Sequence, residues 1–344
     1  MKAVVLTGIR QMEMRDVPAP KIKKDNEVLL KIERVGVCGS DVHYYETGRI
    51  GSQIVEYPFI VGHECSATVE AAGRGVRRVT VGEQVVVDPA VWCGKCDQCL
   101  AGRENTCRNI QFLGTPKEGN GCLCGYIVMP EESCFPTNGR ISLEQGALCE
   151  PFAVGVYAVK QSQMPKGAKA AILGSGPIGL SCLVAARVEG AESIYMTDKV
   201  EERMKVAEKA GAEWVGNPKR GDIVKEILER EPTGMDIVYE CAGEQETIDE
   251  GIELLKPGGR LIVIGIPRVE RISFDISKVR RKEITIVNIR RQKGCTQAAI
   301  DLIGSGRAKI DFMATHRFKL EQTQQAFDMV AGYRDGVVKA MIEF

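Results

Sequence analysis

The pattern of apolar and polar positions changes character near residue 168. Before that point, short β-type runs are separated by Gly and Pro turns, which predicts an irregular, mostly β domain. The predicted strands cover residues 2–6, 28–33, 67–70, 84–88 and 125–129. The first part of the chain is therefore assigned to a different fold class from the part that follows.

From about residue 168, apolar strand-like runs alternate with amphipathic or apolar helical segments. The predicted order is a strand at 170–173, a helix at 177–189, a strand at 193–197, a helix at 201–210 and strands at 236–240 and 260–264. This alternation is typical of an α/β protein with a parallel, doubly wound sheet. After about residue 290 the pattern becomes mixed, and it ends in a strand-like run at 337–342.

Composition and charge exclude several classes of function. A length of 344 residues is enough for about two domains, and the apolar content of 44% is that of an ordinary globular protein. Lys plus Arg equals Asp plus Glu at 46 each, so the broad positive field that nucleic acids or anionic membranes need is not expected. The longest uncharged stretch, residues 170–186, is too interrupted by Gly, Pro and Ser for a membrane span. We expect neither a nucleic-acid partner nor a membrane partner.

The cysteine content bears on the cellular compartment. The chain has 13 cysteines, an odd number, and the apolar run at residues 4–6 is too short for a secretory signal. Together these observations predict a reducing, cytoplasmic environment.

Four of the cysteines are clustered with metal-ligand spacing. Cys93, Cys96, Cys99 and Cys107 follow the pattern C-x2-C-x2-C-x7-C, with Gly94 to ease the turn. Four thiolates on one short loop can close a tetrahedron around Zn²⁺, and a full set of protein ligands leaves no open position for substrate. The alternative is a set of incidental thiols, which this clustering disfavours. The spacing predicts a structural zinc site, so any catalytic metal needs a second, open site.

A glycine motif lies between a predicted strand and a predicted helix. Gly174, Gly176 and Gly179 form G-x-G-x-x-G, in which the first allows a tight turn, the second admits a pyrophosphate and the third lets helix pack on strand. Asp198 ends the next strand, where a carboxylate binds ribose hydroxyls and repels a 2'-phosphate. The pair favours NAD over NADP. The alternative is a helix-capping Asp in a fold that binds another nucleotide.

Residues of the types that bind zinc also occur outside the four-cysteine cluster, and they provide a candidate for the open site. Cys38 lies in the segment GVCGSDVH, and His63 and Glu64 lie in VGHEC. A thiolate, an imidazole and a carboxylate with one vacancy form the ligand shell of a catalytic zinc. His316, in THRF, can instead be a packed or surface residue.

Taken together, these motifs resemble the zinc-dependent medium-chain alcohol dehydrogenases, and among them the sorbitol and other polyol dehydrogenases. The similar segments are VCGSDVHY with GRIG, GHE, Glu150-Pro151, the glycine motif and THRF, and they span essentially the whole chain. The resemblance implies a GroES-like, mostly β catalytic domain over residues 1–153 and a Rossmann NAD-binding domain over 154–289. It also implies a return to the catalytic domain over 290–344.

The resemblance implies roles for single residues as well. Cys38, His63 and Glu64 correspond to the catalytic zinc ligands, and Glu150 to a carboxylate that contacts the zinc-bound water or enters the metal shell. Ser40 and His43 correspond to the groups that carry the alcohol proton toward solvent. The implied substrate contacts are Tyr44, Glu150, Arg290 and Arg291. The implied cofactor contacts, besides the glycines, are Ile178, Asp198, Arg203, Ile264, Gly265, Ile266, Asn288 and Arg290.

The predicted function is NAD-dependent oxidation of a secondary hydroxyl on a sugar alcohol of the sorbitol or xylitol type. The resemblance implies one catalytic and one structural zinc per chain and a homotetramer or homodimer. Arg291 departs from the pattern of animal sorbitol dehydrogenases, which usually have Tyr there, so a sugar phosphate or another secondary alcohol is the alternative substrate. A dinucleotide-binding protein without turnover is disfavoured, because the Cys, His, Glu and Ser of the open site are all present.

Overall fold

The computed structural model describes all residues, Met1–Phe344, which divide into two units. Unit 1 consists of Met1–Glu150, Thr296–Gly306 and Ala314–Phe344, and unit 2 of Pro151–Cys295 and Arg307–Met313. The chain thus leaves unit 1 and returns to it, and residues 307–313, which were predicted to lie in the return, belong to unit 2. The functional domains predicted over 1–153, 154–289 and 290–344 stay predictions.

Nineteen strands make up the sheets of the two units. They are β1 Lys2–Gly8, β2 Gln11–Asp16, β3 Glu27–Gly36, β4 Arg49–Ile50, β5 Gln53–Ile54, β6 Glu64–Ala72, β7 Gln84–Val87, β8 Ala90–Val91, β9 Gln111–Phe112, β10 Tyr126–Pro130, β11 Cys134–Pro136, β12 Lys169–Leu173, β13 Ser193–Thr197, β14 Trp214–Gly216, β15 Met235–Glu240, β16 Leu255–Val263, β17 Thr285–Asn288, β18 Ala314–Lys319 and β19 Lys339–Glu343.

Ten α-helices connect or follow these strands, besides short 3-10 turns. They are α1 Gly39–Thr47, α2 Asp97–Leu100, α3 Leu143–Ser162, α4 Pro177–Val188, α5 Glu201–Lys209, α6 Ile223–Arg230, α7 Gln245–Leu254, α8 Ile276–Arg281, α9 Thr296–Gly304 and α10 Thr323–Ala331. None of them combines the length and the apolar character that crossing a membrane requires.

Unit 1 is built on a seven-stranded sheet. Its strand order is β11-β7-β6-β3-β19-β18, and β10 also pairs with β3. Along β3 the side chains of Val28, Leu30 and Ile32 are fully buried in the core, the alternation expected of a strand with one face inward. Because β3 pairs with both β6 and β19, residues distant in sequence meet at one end of this sheet.

Unit 2 contains a six-stranded sheet in which every neighbouring pair is parallel. The strand order is β14-β13-β12-β15-β16-β17. The interior of β12 is completely buried, which explains its unbroken apolar sequence, because helices cover both faces of a parallel sheet. This is the predicted doubly wound α/β architecture. Parallel strands also bring their carboxyl ends to one edge of the sheet, where such folds bind ligands.

Most predicted elements agree with the structure within a few residues. The main difference is β16, which begins at Leu255 rather than at residue 260. Its first half contains Pro257, Gly258 and Gly259, and these residues indicate a turn in sequence. The short strands β4, β5, β8, β9 and β17 were not predicted, because runs of two to four residues carry little periodicity.

Candidate metal centres and dinucleotide site

The three predicted ligands of the open metal site come together in unit 1. Cys38 lies directly before α1, His63 ends the loop before β6, and Glu64 is the first residue of β6. Their ligand atoms lie within 4.8 Å of one another, with Cys38 half-buried and the other two buried. Zinc bonds of about 2.0–2.3 Å place tetrahedral ligand atoms ~3.8 Å or less apart, so small shifts close this group around one ion. A set of three protein ligands fits zinc with an open position.

Asp41 orients the imidazole of this group. Its Oδ1 lies 3.4 Å from Nδ1 of His63 and accepts a hydrogen bond from the Gly62 backbone at 3.1 Å. Its Oδ2 accepts the Cys38 backbone N–H at 3.3 Å. Because Nδ1 is held by this carboxylate, Nε2 is the ring nitrogen left to bind a metal. Asp41 is almost fully buried, so the orientation is fixed by the interior of unit 1.

Glu64 is held by a lysine from the other end of the chain. Lys339, the first residue of β19, donates from Nζ to both carboxylate oxygens of Glu64, at 2.7 and 2.6 Å. It also donates to the Val37 carbonyl at 3.0 Å, and both charged side chains are only 1% exposed. Gly36 flanks the pair, since a Cβ there would stand 2.3 Å from Glu64 Oε2. The carboxylate therefore lies in a slot that admits no side chain at position 36.

Charges in this region shift the pKa values of two neighbouring groups. Burial disfavours a charged imidazole, but Asp41 and Cys38 outweigh it and raise the pKa of His63. Glu150, half-buried in α3, has its pKa raised to about 7, mainly because of burial, while His63 opposes the shift and Glu64 reinforces it. The structure thus brings Glu150 within electrostatic range of the predicted zinc ligands.

The predicted proton carriers lie on α1, next to the metal group. Ser40 donates its hydroxyl hydrogen bond to Cys38 Sγ at 3.3 Å. His43 is three residues further along and half-buried, so it lies on the same side of the helix as Ser40. Tyr44, a predicted substrate contact, is 3% exposed and donates from its hydroxyl to Gln53 Oε1 at 3.1 Å.

The four-cysteine cluster forms the second metal group. The sulfurs of Cys93, Cys96, Cys99 and Cys107 lie within 4.8 Å of one another, with Cys96 Sγ at 3.5 Å from Cys99 Sγ and 3.9 Å from Cys107 Sγ. These separations bracket the ~3.8 Å edge of a zinc–thiolate tetrahedron. Backbone N–H groups of Cys93 and Asn109 donate to Cys107 Sγ at 3.3 and 3.4 Å, as they would to a thiolate. All four ligand positions are filled by protein.

Surrounding hydrogen bonds and ion pairs brace the cluster. Backbone donors from Lys95 and Cys96 lower the pKa of Cys93 to about 6, which favours the thiolate that a metal requires. The antiparallel pair β8–β9 closes the base of the loop, and Arg108 forms a two-pronged ion pair with Asp97 across it. Gly94 has φ +70°, a conformation that favours glycine, as the sequence predicted.

In unit 2, the glycine motif has the geometry that its sequence predicts. Gly174 has φ +107° at the end of β12, and α4 starts directly after Gly176. A Cβ on Gly179 would stand 1.8 Å from the Gly174 carbonyl oxygen, so no side chain is possible there. The N-terminus of α4 consequently approaches this turn closely, with its backbone donors available for phosphate oxygens. Ile178 is half-buried in the first turn of the same helix.

Asp198 stands beside this turn, beyond β13. Its Oδ2 accepts the Ser175 backbone N–H and its Oδ1 the Val200 backbone N–H, both at 2.8 Å. Arg203 of α5 is buried and reaches the motif, with Nη1 3.6 Å from the position of a Cβ on Gly176. A fixed negative charge and a guanidinium therefore lie together at the glycine loop.

The remaining predicted cofactor contacts lie at the carboxyl ends of neighbouring strands. Residues 264–266 follow β16, and Asn288 ends β17 opposite Val263. Arg290 and Arg291 come next, with Arg290 exposed and Arg291 half-buried in a left-handed backbone conformation, φ +53°. The structure thus brings all the predicted cofactor residues of unit 2 to one edge of its sheet.

Comparison with known proteins identifies the family. Residues 24–139 match the alcohol dehydrogenase GroES-like domain, and residues 177–305 match the zinc-binding dehydrogenase domain. Sorbitol dehydrogenase of Bacillus subtilis (strain 168) is 36% identical over 343 residues, covering 99% of this chain and 97% of that protein. The chain belongs to the zinc-dependent medium-chain alcohol dehydrogenases. This confirms the predicted family and the predicted oxidoreductase class.

Solved structures agree with this family and with the GroES-like and Rossmann fold class. An Escherichia coli oxidoreductase/dehydrogenase of unknown specificity superposes on this dehydrogenase with a TM-score of 0.94 and 32% identity, covering 99% of this chain and 98% of that chain. A protein from Sinorhizobium meliloti 1021, described as a zinc-binding dehydrogenase bound to NADP, has a TM-score of 0.91 and 30% identity, covering 100% and 99%.

Three charged residues that support the sites of this dehydrogenase were not predicted. Asp41 and Lys339 hold two of the candidate zinc ligands, and Glu240 is a fully buried carboxylate at the end of β15. Glu240 Oε1 accepts hydrogen bonds from the backbone N–H groups of Ala242 and Gly243 at 2.8 and 2.7 Å. The backbone carbonyl oxygen of Glu240 accepts hydrogen bonds from the N–H groups of residues 264 and 265. For Glu240 the sequence signal was its place at the end of a predicted strand, since ligands of a parallel sheet bind at the carboxyl ends of its strands.

Proposed function

We propose that this dehydrogenase uses zinc and NAD to oxidise a secondary hydroxyl of a sugar alcohol, of the sorbitol or xylitol type, to the ketose. The observation that carries the proposal is the open ligand group of Cys38, His63 and Glu64 within 4.8 Å. The four-cysteine cluster has no vacancy and so serves as the structural site. Similarity to a sorbitol dehydrogenase over nearly the whole chain supports the substrate class.

Each residue of the open site has a defined task in this proposal. Cys38, His63 and Glu64 hold the catalytic zinc, and Glu150 contacts its open position. Zinc there supplies a Lewis acid that lowers the pKa of an alcohol, and the nicotinamide supplies the hydride acceptor. Asp41 and Lys339 act as positioning residues, since each bonds a ligand rather than substrate.

Ser40 and His43 carry the substrate proton outward in this scheme. The Ser40 hydroxyl lies beside the metal group because it donates to Cys38 Sγ at 3.3 Å. A hydroxyl can accept one proton while it donates its own, so Ser40 can pass a proton to the imidazole of His43 one helical turn away. Replacing Ser40 with Ala should lower kcat more than it alters KM.

We also propose NAD, rather than NADP, as the cofactor. The motif of Gly174, Gly176 and Gly179 receives the pyrophosphate, and the Asp198 carboxylate receives the adenosine ribose. Because two backbone donors fix Asp198 in place, its negative charge opposes a 2'-phosphate. Arg203 then faces the ribose or pyrophosphate, and residues 264–266, Asn288 and Arg290 hold the nicotinamide half.

A kinetic panel tests the substrate. Initial rates of NAD reduction are compared for sorbitol, xylitol and ribitol, for their phosphates and for simple secondary alcohols. A polyol dehydrogenase should prefer the free polyols, because buried polar groups in its site are left unpaired by a simple alcohol. A clear preference for phosphates would refute the polyol assignment and support the second candidate.

The second candidate is a sugar-phosphate dehydrogenase or one for another secondary alcohol. Two consecutive arginines, Arg290 and Arg291, favour it, because guanidinium groups bind phosphate through paired hydrogen bonds. Substituting Arg291 with Tyr separates the two candidates. Activity toward phosphates should then fall at least about tenfold if Arg291 binds phosphate, and should stay unchanged otherwise.

The remaining proposals concern assembly and location. We propose a homotetramer or homodimer, which sedimentation equilibrium tests directly. We also propose a cytoplasmic location, where the 13 free cysteines, including the metal-binding thiols, stay reduced.

A further inference from the structure

The hydroxyl of Tyr44 is the first member of a hydrogen-bonded chain of three side chains. It donates to Oε1 of Gln53 at 3.1 Å, and Nε2 of Gln53 donates to Oε1 of Glu118 at 3.0 Å. Gln53 lies in the short strand β5, and Glu118 lies in the loop between β9 and β10. The chain thus joins α1 to two other segments of unit 1.

The chemistry of the last member fixes the direction of every bond in this chain. A carboxylate oxygen accepts hydrogen bonds and cannot donate them, so Gln53 must turn its NH₂ group toward Glu118. Its carbonyl oxygen then faces Tyr44 and can only accept. The single hydroxyl hydrogen of Tyr44 is committed to Gln53, and the phenol oxygen has only lone pairs left for any other partner.

We infer that Gln53 and Glu118 are positioning residues that make Tyr44 a hydrogen-bond acceptor toward the substrate. The inference rests on the proposed function together with the substrate contact that the family resemblance implies for Tyr44. It assigns a direction to that contact, since a substrate hydroxyl must donate to the Tyr44 oxygen. A substrate group that can accept but not donate is rejected at this position.

The burial of Tyr44 makes this direction consequential. Its side chain is 3% exposed, so water cannot readily replace a missing partner. Two acceptors facing each other without a hydrogen leave a buried polar atom unpaired, which lowers transition-state binding by about tenfold or more. The hydrogen-bonded series of Tyr44, Gln53 and Glu118 therefore selects substrates with a free hydroxyl on the carbon that Tyr44 contacts. It selects against an ether, a fluorine or a carbonyl on that carbon.

Glu118→Lys reverses the chain, because an ammonium group only donates. Gln53 must then turn its carbonyl toward residue 118 and its NH₂ toward Tyr44, which frees the Tyr44 hydrogen. Glu56→Lys is the matched control. Glu56 is the same residue type, pairs with Lys117 at 3.7 Å and is highly exposed. It takes no part in the hydrogen bonds that link Tyr44, Gln53 and Glu118.

The first readout is the hydrogen-bonding state of the phenol, which does not depend on turnover. The intensities of the tyrosine Fermi doublet in the Raman spectrum report whether a phenol donates or accepts. The spectrum of the wild type minus that of Tyr44→Phe isolates Tyr44. We expect a donating phenol in the wild type and in Glu56→Lys, and an accepting phenol in Glu118→Lys. An unchanged doublet in Glu118→Lys overturns the inference.

The second readout is discrimination between a polyol and its deoxyfluoro analogue, in which fluorine accepts but does not donate. The ratio of kcat/KM for polyol over analogue should fall about tenfold in Glu118→Lys, with KM for the polyol raised and kcat within about twofold. Glu56→Lys should keep the wild-type ratio. A changed doublet with an unchanged ratio refutes the assigned contact with substrate.

The two proposals fail in different ways. If the wild-type enzyme does not turn over any polyol, the proposed substrate class is wrong, whatever the doublet shows. If it does oxidise polyols but Glu118→Lys alters neither the doublet nor the ratio, the chain only braces three segments and the inference alone is wrong.

Discussion

Removing the ammonium group of Lys339 should destabilise unit 1 strongly. In Lys339→Met a side chain of similar length remains, but Glu64 keeps a buried charge with no countercharge and loses two hydrogen bonds of 2.6–2.7 Å. The Val37 carbonyl loses its partner at 3.0 Å as well. Breaking a buried ion pair from one side lowers the free energy of unfolding by about 3–5 kcal/mol. We expect this loss in the zinc-free protein and a smaller loss when zinc binds Glu64.

Urea unfolding measures the effect, with a matched surface control. The chain has two tryptophans, so in a Trp214→Phe background the fluorescence of Trp92 reports unit 1. The control Lys319→Met removes an ion pair of similar length, in which Lys319 lies 2.9 Å from Glu343. Because the Lys319 side chain is 69% exposed, the free energy of unfolding should fall by no more than about 1 kcal/mol.

A double variant provides the decisive comparison. Adding Glu64→Gln to Lys339→Met removes the unpaired charge and should recover part of the lost stability. The reasoning is refuted if Lys339→Met costs no more than the surface control, or if the double variant is less stable than the single one.

Three further predictions concern the metal sites and the cofactor. Cys38→Ala should retain one zinc per chain and lose turnover, whereas Cys96→Ala should lose the other zinc and melt at a lower temperature; equal losses in both, measured by native mass spectrometry, would contradict two separate sites. Gly36→Ala places a Cβ 2.3 Å from a buried carboxylate oxygen of Glu64. In a chelator competition this variant should bind the catalytic zinc at least about tenfold more weakly. The control Gly39→Ala has nothing within 4 Å of its Cβ and should bind zinc as the wild type does. Asp198→Ala should raise the ratio of kcat/KM for NADP over NAD at least about tenfold, and an unchanged ratio would show that its charge does not select the cofactor.

Features set by local sequence were predictable. The structural zinc loop was recognisable because four ligands fall within fifteen residues, and the glycine loop because strand, motif and helix are contiguous. The buried apolar run of β12 and the helix that starts at Pro177 were also correct within one residue. In each case neighbours in sequence determine the structure.

Features set by long-range pairing were not predictable from patterns. Cys38 and His63 are 25 residues apart, so their spacing alone does not indicate a metal site, and the resemblance to a family was needed. Lys339 is 275 positions from its partner Glu64, in a short strand whose burial depends on insertion between β3 and β18. A lysine at position 339 even indicated an exposed side chain, because lysine is rarely buried unless it is paired.

That separation has a consequence for how the protein is made. The strand that carries Lys339 follows the whole of unit 2 in the chain, so at about 5–20 residues per second a ribosome adds it roughly 15 to 55 s after Glu64. Throughout that interval the Glu64 carboxylate of the candidate metal group lacks the ammonium group that pairs with it in the folded protein. All six strands of the sheet in unit 2 lie within residues 151–295, so this sheet can form in the meantime. The candidate metal group thus gains its buried countercharge only at the end of synthesis, although Cys38, His63 and Glu64 are all translated before unit 2.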